Sequence, residues 1–570
     1  MFGWTGKAKG AAQAAPSGKD GPAAKGRDPM AGFPRGLPGD DTDKPGASAR
    51  WPSLDEMAAL EARPGGPKMC EWQPGMFLLG RDSAGRYYGH DDDRHILTVA
   101  GSRAGKGISL IVPNLAFWPG SCIVIDPKGE LATLTAPRRS AEGSNWSVPM
   151  TPGEGEVYAL DPFDRVKGAA TKYAKAGFNP MAEMEVAKPG FFDQCSMLAD
   201  ALIVQATGEG AHWTQGARTL LLLLIFYVAA TKPPQEKNLI EVRRLLMRRG
   251  KATLDLFAEM AGSGDEFIAE SGKAWGGVRE GELQSIVASA ATQTAFLDGP
   301  EMKKVLSHSS FRLEDLKERR ITVYLCLPAL RLATHGKWFR MFVNMAMDAM
   351  ERTGPIKQGQ HRVLFCLDEF AAIGANETIE KAAGQIASFG VKLWPIIQDL
   401  PQLMRDYQHS WETFMGNAGL LTFFGNTDLS STKHISARLG EAEAIRWKYT
   451  ASENWQEMEG NNAPNASAAL LGVAGGGGGT NRSKTKGGNQ GKSQEFTRGP
   501  LMTPSEVVGA FARERGNILV LIPDKPPLVL NRLTHYGAED DALMGGLFEP
   551  IEGQKNPLTL RDERERRDGR

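Results

Sequence analysis

A lysine that follows a loop of small residues is the first feature of the chain that could do chemistry. Residues 97–112 read LTVAGSRAGKGISLIV, in which an apolar run leads into the loop and then to Lys106. A strand, a glycine-rich loop, a lysine and a helix in this order are typical of a phosphate-binding loop, where backbone N–H groups and the helix dipole face the phosphates. We predict a nucleotide phosphate site formed by Gly101, Ser102, Arg103, Ala104, Gly105, Lys106, Gly107 and Ile108.

Two positions of this loop depart from the usual pattern, which has glycine first and serine or threonine directly after the lysine. Ala100 takes the first position, which is a small change, and Gly107 takes the second, where a hydroxyl normally contacts Mg²⁺. Ser102 and Ser109 supply hydroxyls nearby, although neither stands at the usual offset. On this motif alone, a glycine-rich turn without any ligand is an open alternative.

Two acidic residues at the end of a second apolar run supply the partner that such a loop needs. Residues 363–367 are apolar and are followed by Asp368 and Glu369. A buried strand here would place Asp368 beside Mg²⁺ and Glu369 where it can polarise an attacking water. The alternative is a strand that merely ends in two solvated acids. The loop and the acidic pair together indicate nucleotide binding.

A third strand-like run, residues 391–397, is apolar apart from Lys392 and ends at a single polar side chain, Gln398. In motor ATPases a glutamine or asparagine at such a strand end contacts the terminal phosphate or the attacking water, and so couples nucleotide state to movement. The simpler interpretation is a glutamine that only caps the strand. Both interpretations stay open at this point.

The charge balance of the chain gives no sign of a nucleic-acid partner. Lysine and arginine number 67 among 570 residues, and aspartate and glutamate also number 67. Any contact with DNA must therefore come from a local patch rather than from the overall field. The five cysteines form no C-x-x-C pair, and Cys122, Cys326 and Cys366 lie in apolar runs, which is typical of buried free thiols in a reducing compartment.

No stretch of the sequence has the pattern expected of a membrane anchor or a signal peptide. The first twenty residues lack the apolar core of a signal peptide. The most hydrophobic stretch, residues 219–230, is shorter than the roughly 20 residues that cross a bilayer. We therefore expect this stretch to form a core helix in a soluble protein.

Changes in composition along the chain indicate five regions. Few large apolar residues occur before residue 51, so the start of the chain cannot offset its ordering entropy. Strand-like runs give way to helix-like segments in the middle of the chain, and a run of five glycines at 475–479 indicates a flexible linker. The predicted regions are a disordered arm (1–60), the first part of a nucleotide-binding domain (61–180), an inserted all-α domain (181–315), the second part of the nucleotide-binding domain (316–545, with a flexible segment at about 457–495) and a charged tail (546–570).

A set of motifs in a fixed order resembles the type IV secretion coupling proteins. The loop AGSRAGKG is followed by GSCIVIDPKGE, VYALDPF and FNP, and then by HWTQGAR, VLFCLDEFAAIG and FGVKLWPIIQDLPQL. The resemblance runs from about residue 70 to about residue 540 and is far more specific than any single motif. Members of that family also carry glycine after the lysine of the loop, so Gly107 fits the family pattern.

The resemblance implies a fold, a set of roles and a set of partners. The implied fold is a RecA-like P-loop α/β nucleotide-binding domain with an inserted all-α domain. The implied activity is hydrolysis of ATP with Mg²⁺, in which Lys106 binds the phosphates and Asp368 the metal. Glu369 is then the catalytic base and Gln398 the sensor. The implied partners are DNA, relaxase or secreted protein substrates and the components of a secretion channel, and the implied active form is a homo-hexamer.

Two departures from the family pattern qualify these expectations. Most members begin with transmembrane helices, whereas this sequence has the polar arm, so we expect a cytoplasmic protein that reaches the bacterial inner membrane through a partner protein. Some members supply an arginine where this chain has Ala387, which leaves Arg103, Arg331 and Arg340 as candidates for an arginine finger. Two alternatives stay open: a nucleotide-gated adaptor that recruits substrates without translocation, and a soluble DNA-translocating ATPase.

Overall fold

The fold is described by a computed structural model that covers residues 51, 68–140, 155–206, 208–454, 487–523, 525–535 and 540–544. The predicted arm, apart from residue 51, lies outside the described residues, as do residues 457–486 of the predicted flexible segment and the charged tail. The predictions for those regions therefore stay predictions.

Strands and helices alternate at both ends of the chain, and helices alone occupy its middle. The strands are β1 (Lys68–Glu71), β2 (Phe77–Arg81), β3 (Tyr87–Asp91), β4 (His95–Ala100), β5 (Cys122–Ile125), β6 (Gly155–Leu160), β7 (Arg320–Leu325), β8 (Val363–Asp368), β9 (Val391–Ile397), β10 (Ala418–Phe424), β11 (Glu441–Asn454), β12 (Gly487–Pro500), β13 (Asn517–Leu521) and β14 (Leu528–Asn531). The helices are α1 (Val112–Phe117), α2 (Glu130–Arg139), α3 (Phe191–Leu202), α4 (Ala211–Thr231), α5 (Leu239–Leu246), α6 (Lys251–Ala261), α7 (Glu266–Gly276), α8 (Glu280–Gln293), α9 (Pro300–Leu306), α10 (Leu332–Arg352), α11 (Glu377–Ala382), α12 (Leu400–Tyr407), α13 (Trp411–Gly416), α14 (Leu429–Leu439), α15 (Pro504–Ala510) and α16 (Asp541–Met544).

One mixed sheet of twelve strands organises the described residues. Its order is β1-β3-β2-β14-β13-β10-β4-β9-β8-β5-β7-β6. From β10 to β6 all neighbours are parallel, whereas the pairs on the other side of β10 are antiparallel. Because the carboxyl ends of parallel strands share one edge, the residues that follow β4, β9, β8 and β5 meet there.

The parallel strands are buried on both faces, which is why they read as continuous apolar runs in the sequence. In β8, Phe365 and Leu367 pack into the core on one face, while Leu364 and Cys366 pack into the core on the other. The first of these cores also contains α4, so the helical insertion and the sheet share apolar contacts. The sheet edge is therefore held rigidly on both sides.

The inserted helices α3 to α9 lie between β6 and β7, which pair directly in the sheet. Helix α4 has 21 residues and, by length and composition, could cross a membrane. The helix begins at Ala211, before the apolar stretch of residues 219–230. However, 67% of its apolar window is buried inside the protein, as in a core helix.

One part of the predicted flexible segment is a strand instead. Residues 487–495, which composition placed in the flexible segment, lie in β12, which pairs with β11 over its whole length. An antiparallel partner satisfies the backbone hydrogen bonds regardless of how many glycines the strand contains. The strand was not predicted, and the flexibility of the segment stays a prediction.

Candidate active site

The phosphate loop begins where β4 ends and is held by the neighbouring strand β10. The N–H of Gly101 donates to Phe424 O at 3.1 Å, and the N–H of Ala104 donates back to Gly101 O at 3.1 Å. Gly105 has a positive φ of 94°. The chain then enters a π-helical turn, Gly107–Ile111, which continues into α1. This is the strand, loop and helix arrangement that the sequence predicts.

Gly101 lies so close to β10 that no side chain fits there. A Cβ at Gly101 would overlap the carbonyl oxygen of Gly425, whereas a Cβ at Gly107 would meet no atom within 4 Å. The absence of a side chain at Gly101 therefore lets the loop sit against the sheet edge.

We expect Gly101→Ala to destabilise the loop by about 1–3 kcal/mol, because a methyl group forced against backbone must displace it. The melting temperature of the variant and its affinity for a fluorescent nucleotide should both be lower than those of the wild type. Gly107→Ala is the matched control, since its added methyl group enters open space, and it should melt like the wild type. Equal melting temperatures for the two variants would contradict the close packing at Gly101.

Lys106 joins the loop to the two acidic residues that follow β8. Its Nζ lies 2.7 Å from Asp368 Oδ1 and 3.6 Å from Glu369 Oε2. Burial by itself would lower the pKa of Lys106, but the charges of Asp368 and Glu369 outweigh burial and raise it. The lysine is therefore fully charged at neutral pH and sits between the loop and the acids.

Glu369 adopts a backbone conformation that few non-glycine residues adopt. Its φ is +64°, and among the described residues only Arg103 and Asp164 share a φ in this left-handed region without being glycine. Such conformations cost free energy and concentrate at functional sites. The turn directs Glu369 towards the next strand, where Gln398 Nε2 donates to Glu369 Oε1 at 2.8 Å.

The order of the strands explains how distant segments form one site. Strand β9 lies between β4 and β8, so Gln398 follows the strand that separates the loop from the acidic pair. The structure thus brings Lys106, Asp368, Glu369 and Gln398 into one connected cluster. The chemistry of this cluster is that of a site for an anionic ligand beside a paired carboxylate.

Asp126 is a further carboxylate at this edge, directly after β5, the strand next to β8. Its Oδ2 accepts the N–H of Ala132 at 2.8 Å. Burial raises the pKa of Asp126 to about 7, the hydrogen bond opposes this rise, and the charge of Asp368 adds to it. The sequence showed Asp126 at a strand end but gave no sign that this carboxyl group holds its proton more tightly than usual.

Two residues near the end of the described chain also contact the loop. Arg532 donates to Ala104 O, and His535 Nδ1 lies 3.1 Å from Ile108 O. Burial lowers the pKa of His535 to about 4, so its ring is neutral at pH 7 and can donate through Nδ1–H. Sequence analysis missed both residues, because no local pattern connects a segment to a loop more than 400 positions away.

The remaining predicted residues occupy less specific positions. Ser102 and Arg103 are exposed at the tip of the loop, while Ser109 Oγ donates to Gly105 O at 2.8 Å inside the helix. Of the arginine-finger candidates, Arg340 is buried and donates to Ala201 O at 2.8 Å. Arg340 is therefore committed to its own protomer, and that candidate was wrong, whereas Arg331 is exposed.

Comparison with protein families decides the relationship. A family model described as type IV secretory system conjugative DNA transfer matches residues 64–471, which is well over half of the chain. The chain belongs to this family. The matched residues include Lys106, Asp368, Glu369 and Gln398, but they end before the part of the chain that holds Arg532 and His535.

Curated relatives of the chain agree with the assignment to this family. Protein VirD4 of Agrobacterium fabrum is 26% identical over 491 residues, which cover 83% of this chain and 63% of that protein. The conjugal transfer protein TraG of Escherichia coli is 25% identical over 437 residues, which cover 71% of this chain and 66% of that protein. The chain thus spans a little less than two thirds of the length of these relatives.

Solved structures of a family relative show the same fold. The plasmid coupling protein TrwB in complex with the non-hydrolysable ATP analogue ADPNP has a TM-score of 0.57 at 13% identity, covering 87% of this chain and 96% of that chain. An unbound form of TrwB lacking its N-terminal residues has a TM-score of 0.55 at 14% identity, covering 85% and 92%. The RecA-like P-loop α/β fold with an all-α domain, which the sequence resemblance implied, is confirmed.

Proposed function

We propose that this protein is an ATP-hydrolysing coupling protein that recruits DNA or nucleoprotein substrates and drives them into a type IV secretion channel. The observation that carries the proposal is the connected cluster at one sheet edge. Lys106 contacts both carboxylates of the acidic pair, and Gln398 contacts Glu369. Membership of the conjugative DNA transfer family supports the choice of substrate.

The residues at this edge fit ATP with Mg²⁺. Backbone N–H groups of residues 101–108 and the charged Lys106 would hold the phosphates. Asp368, whose Oδ1 has Lys106 as its one close partner among the described residues, would hold the metal, and Mg²⁺ would neutralise charge on the phosphate oxygens. Structures of the plasmid coupling protein TrwB have been solved in complex with an ATP analogue and with ADP and Mg²⁺.

The pair formed by Glu369 and Gln398 fits the hydrolytic step. Glu369 would accept a proton from the attacking water, which is the role of a general base. Gln398 holds the Glu369 carboxylate at 2.8 Å and so fixes its orientation towards the phosphate site. Gln398 directly follows β9, and β9 pairs with β4, the strand that leads into the phosphate loop. A change at the phosphates would therefore reach β9 directly.

Exposed cations on the neighbouring loops support DNA as a substrate. Lys128 follows β5, Arg165 and Lys167 follow β6, and Arg331 follows β7, all at the same sheet edge and all exposed. The loops touch, since a Cβ at Gly129 would lie 2.7 Å from the backbone of Arg165. Acidic Asp164 and Glu130 are interspersed, so the surface suits a phosphate backbone held at several points rather than one deep anion site.

The test measures ATP turnover by the purified protein with and without single- and double-stranded DNA. We expect DNA to stimulate turnover, and we expect Lys128→Ala/Arg165→Ala/Lys167→Ala to weaken DNA binding. The slope of log affinity against log salt concentration is negative and should become shallower by about 2–3, because each of the three lost phosphate contacts contributes roughly 0.7–0.9.

The matched control removes three exposed cations from the helical insertion, Lys251, Lys303 and Lys304. That variant should keep the wild-type salt slope. An equal rate of ATP turnover with and without DNA would favour the alternative, a nucleotide-gated adaptor without translocation. If DNA stimulates ATP turnover but cells without the protein transfer cargo normally, a soluble DNA-translocating ATPase is favoured.

Further parts of the proposal concern assembly and location. We propose an active homo-hexamer whose arginine finger, if one is used, comes from Arg103 or Arg331, both of which are exposed. Relaxase or secreted proteins, channel components and a membrane partner protein complete the proposed set of partners. The proposed location is the cytoplasmic side of the bacterial inner membrane, which co-sedimentation with membranes from cells with and without the channel components would test.

A further inference from the structure

The guanidinium of Arg532, just after β14, joins three parts of the molecule behind the phosphate loop. It donates to Ala104 O in the loop and, through Nη2, to Arg513 O at 2.5 Å. Its Cζ lies 5.1 Å from the centre of the Phe424 ring, at the end of β10. The backbone N–H of Arg532 donates to Gly516 O at 2.7 Å, which anchors the residue itself.

The contact with Ala104 O has a consequence for the opposite side of the loop. In a trans peptide, the C=O of one residue and the N–H of the next point in opposite directions. By holding the C=O of Ala104, Arg532 therefore turns the N–H of Gly105 away from itself. Gly105 has no side chain to restrict its neighbouring peptide planes, and its φ is 94°. A contact such as that with Arg532 is therefore needed to fix their orientation.

The charge of Arg532 has no carboxylate in contact with it among the described residues. Its Nε is buried without a hydrogen-bond acceptor there, and the guanidinium otherwise meets carbonyl oxygens and an aromatic face. Burial lowers the pKa of Arg532 to about 10, with Arg513 adding to this and Glu514 opposing it, so the side chain is still charged at pH 7. A buried cation without a counter-ion is unfavourable until an anion approaches.

We infer that Arg532 is a positioning residue of the nucleotide site, which orients the Gly105 N–H towards the phosphates and compensates their charge from behind the loop. The inference rests on the proposed function, since it takes a nucleotide as the ligand of residues 101–108. Arg532 acts through the peptide of the loop and does not itself contact the reacting atoms.

The position of Arg532 gives the end of the chain a role in the site. The family match ends at residue 471, and β13 and β14 lie beyond it. These strands extend the sheet on the side of β10, and Arg532 and His535, which follow β14, contact the loop. His535, at 3.1 Å from Ile108 O, supports the first helical turn from the same segment.

The experiment compares Arg532→Ala, Arg532→Gln and Arg532→Lys in the full chain. It measures the affinity for a fluorescent ATP analogue that cannot be hydrolysed, for ADP and for adenosine, together with KM and kcat for ATP. We expect Arg532→Ala to weaken ATP binding about 10- to 100-fold, because a charge-assisted hydrogen bond is lost. Affinity for adenosine should stay unchanged, and KM should rise far more than kcat falls.

The two conservative variants separate orientation from charge and keep the test valid should the alanine variant not fold. Gln keeps a donor for Ala104 O without the charge, and Lys keeps the charge with a single donor group, so each should recover part of the affinity. Arg515→Ala removes an exposed cation from the turn beside Arg513 and should bind ATP like the wild type.

The outcomes separate this inference from the proposed function. Wild-type affinity for ATP in all three Arg532 variants, or an equal loss in Arg515→Ala, would overturn the role of Arg532. A lower melting temperature with unchanged affinity would also overturn it, since that result describes a purely structural residue. If Arg532→Ala weakens binding of the non-hydrolysable analogue while the wild-type protein shows no ATP turnover, the role of Arg532 is supported and the proposed hydrolysis is refuted.

Discussion

Replacing Lys106 with alanine should abolish ATP turnover, with a fall of about 100-fold or more. Lys106 Nζ is within 2.7 Å of Asp368 and 3.6 Å of Glu369, so it is the cation that links the loop to the acidic pair. Removing a charged group that stabilises the transferring phosphate costs about 3–4 kcal/mol of barrier. Steady-state phosphate release and cargo transfer between cells measure the two consequences.

The lysine variant also changes the electrostatics of the acids that remain. Without Nζ, the Asp368 and Glu369 carboxylates face each other with less compensation, which weakens binding of a polyanion further. Lys106→Met, which keeps the length of the side chain, separates lost charge from lost packing and should be equally inactive. A Lys106→Ala protein that still supports transfer would refute the motor and leave the adaptor.

Glu369→Gln should lower kcat about 100- to 10,000-fold while leaving nucleotide affinity close to that of the wild type. The change removes the proton acceptor, and general-base catalysis contributes this range of rate. The amide oxygen at position 369 can still accept from Gln398, so the 2.8 Å contact and the local backbone should persist. Single-turnover hydrolysis, with binding of a fluorescent nucleotide measured separately, checks both parts.

One control variant makes the result for Glu369 specific. Gln398→Ala should lower kcat less than Glu369→Gln, since it removes only the group that orients the carboxylate. Full turnover by Glu369→Gln would contradict the assignment of the base. Asp126 would then be the next candidate, because burial raises its pKa to about 7 and it follows the strand beside β8.

Local features of the site could be predicted from sequence because they depend on neighbouring residues. The loop, the apolar strands and the polar residues at their ends are fixed by steric and solvation preferences within a few positions. Residues 363–368 and 391–397 form strands because runs that are apolar apart from Asp368 and Lys392 suit a sheet buried on both faces. The motif order was specific enough to identify the family, which the comparison confirmed.

Features that depend on long-range packing were harder to predict. Residues 487–495 read as flexible from composition, yet they form β12 because β11 supplies a hydrogen-bonding partner. A tertiary contact outweighed the local preference there.

The sequence by itself singled out four candidates for binding and hydrolysis of a nucleotide, namely Lys106, Asp368, Glu369 and Gln398. Only the tertiary structure decided that β9 lies between β4 and β8, so that Gln398 meets Glu369. It also decided that Arg532 reaches the loop across 428 positions. The physical reason is that strand order depends on which apolar faces pack together, and no pattern within one segment records the identity of its neighbours in space.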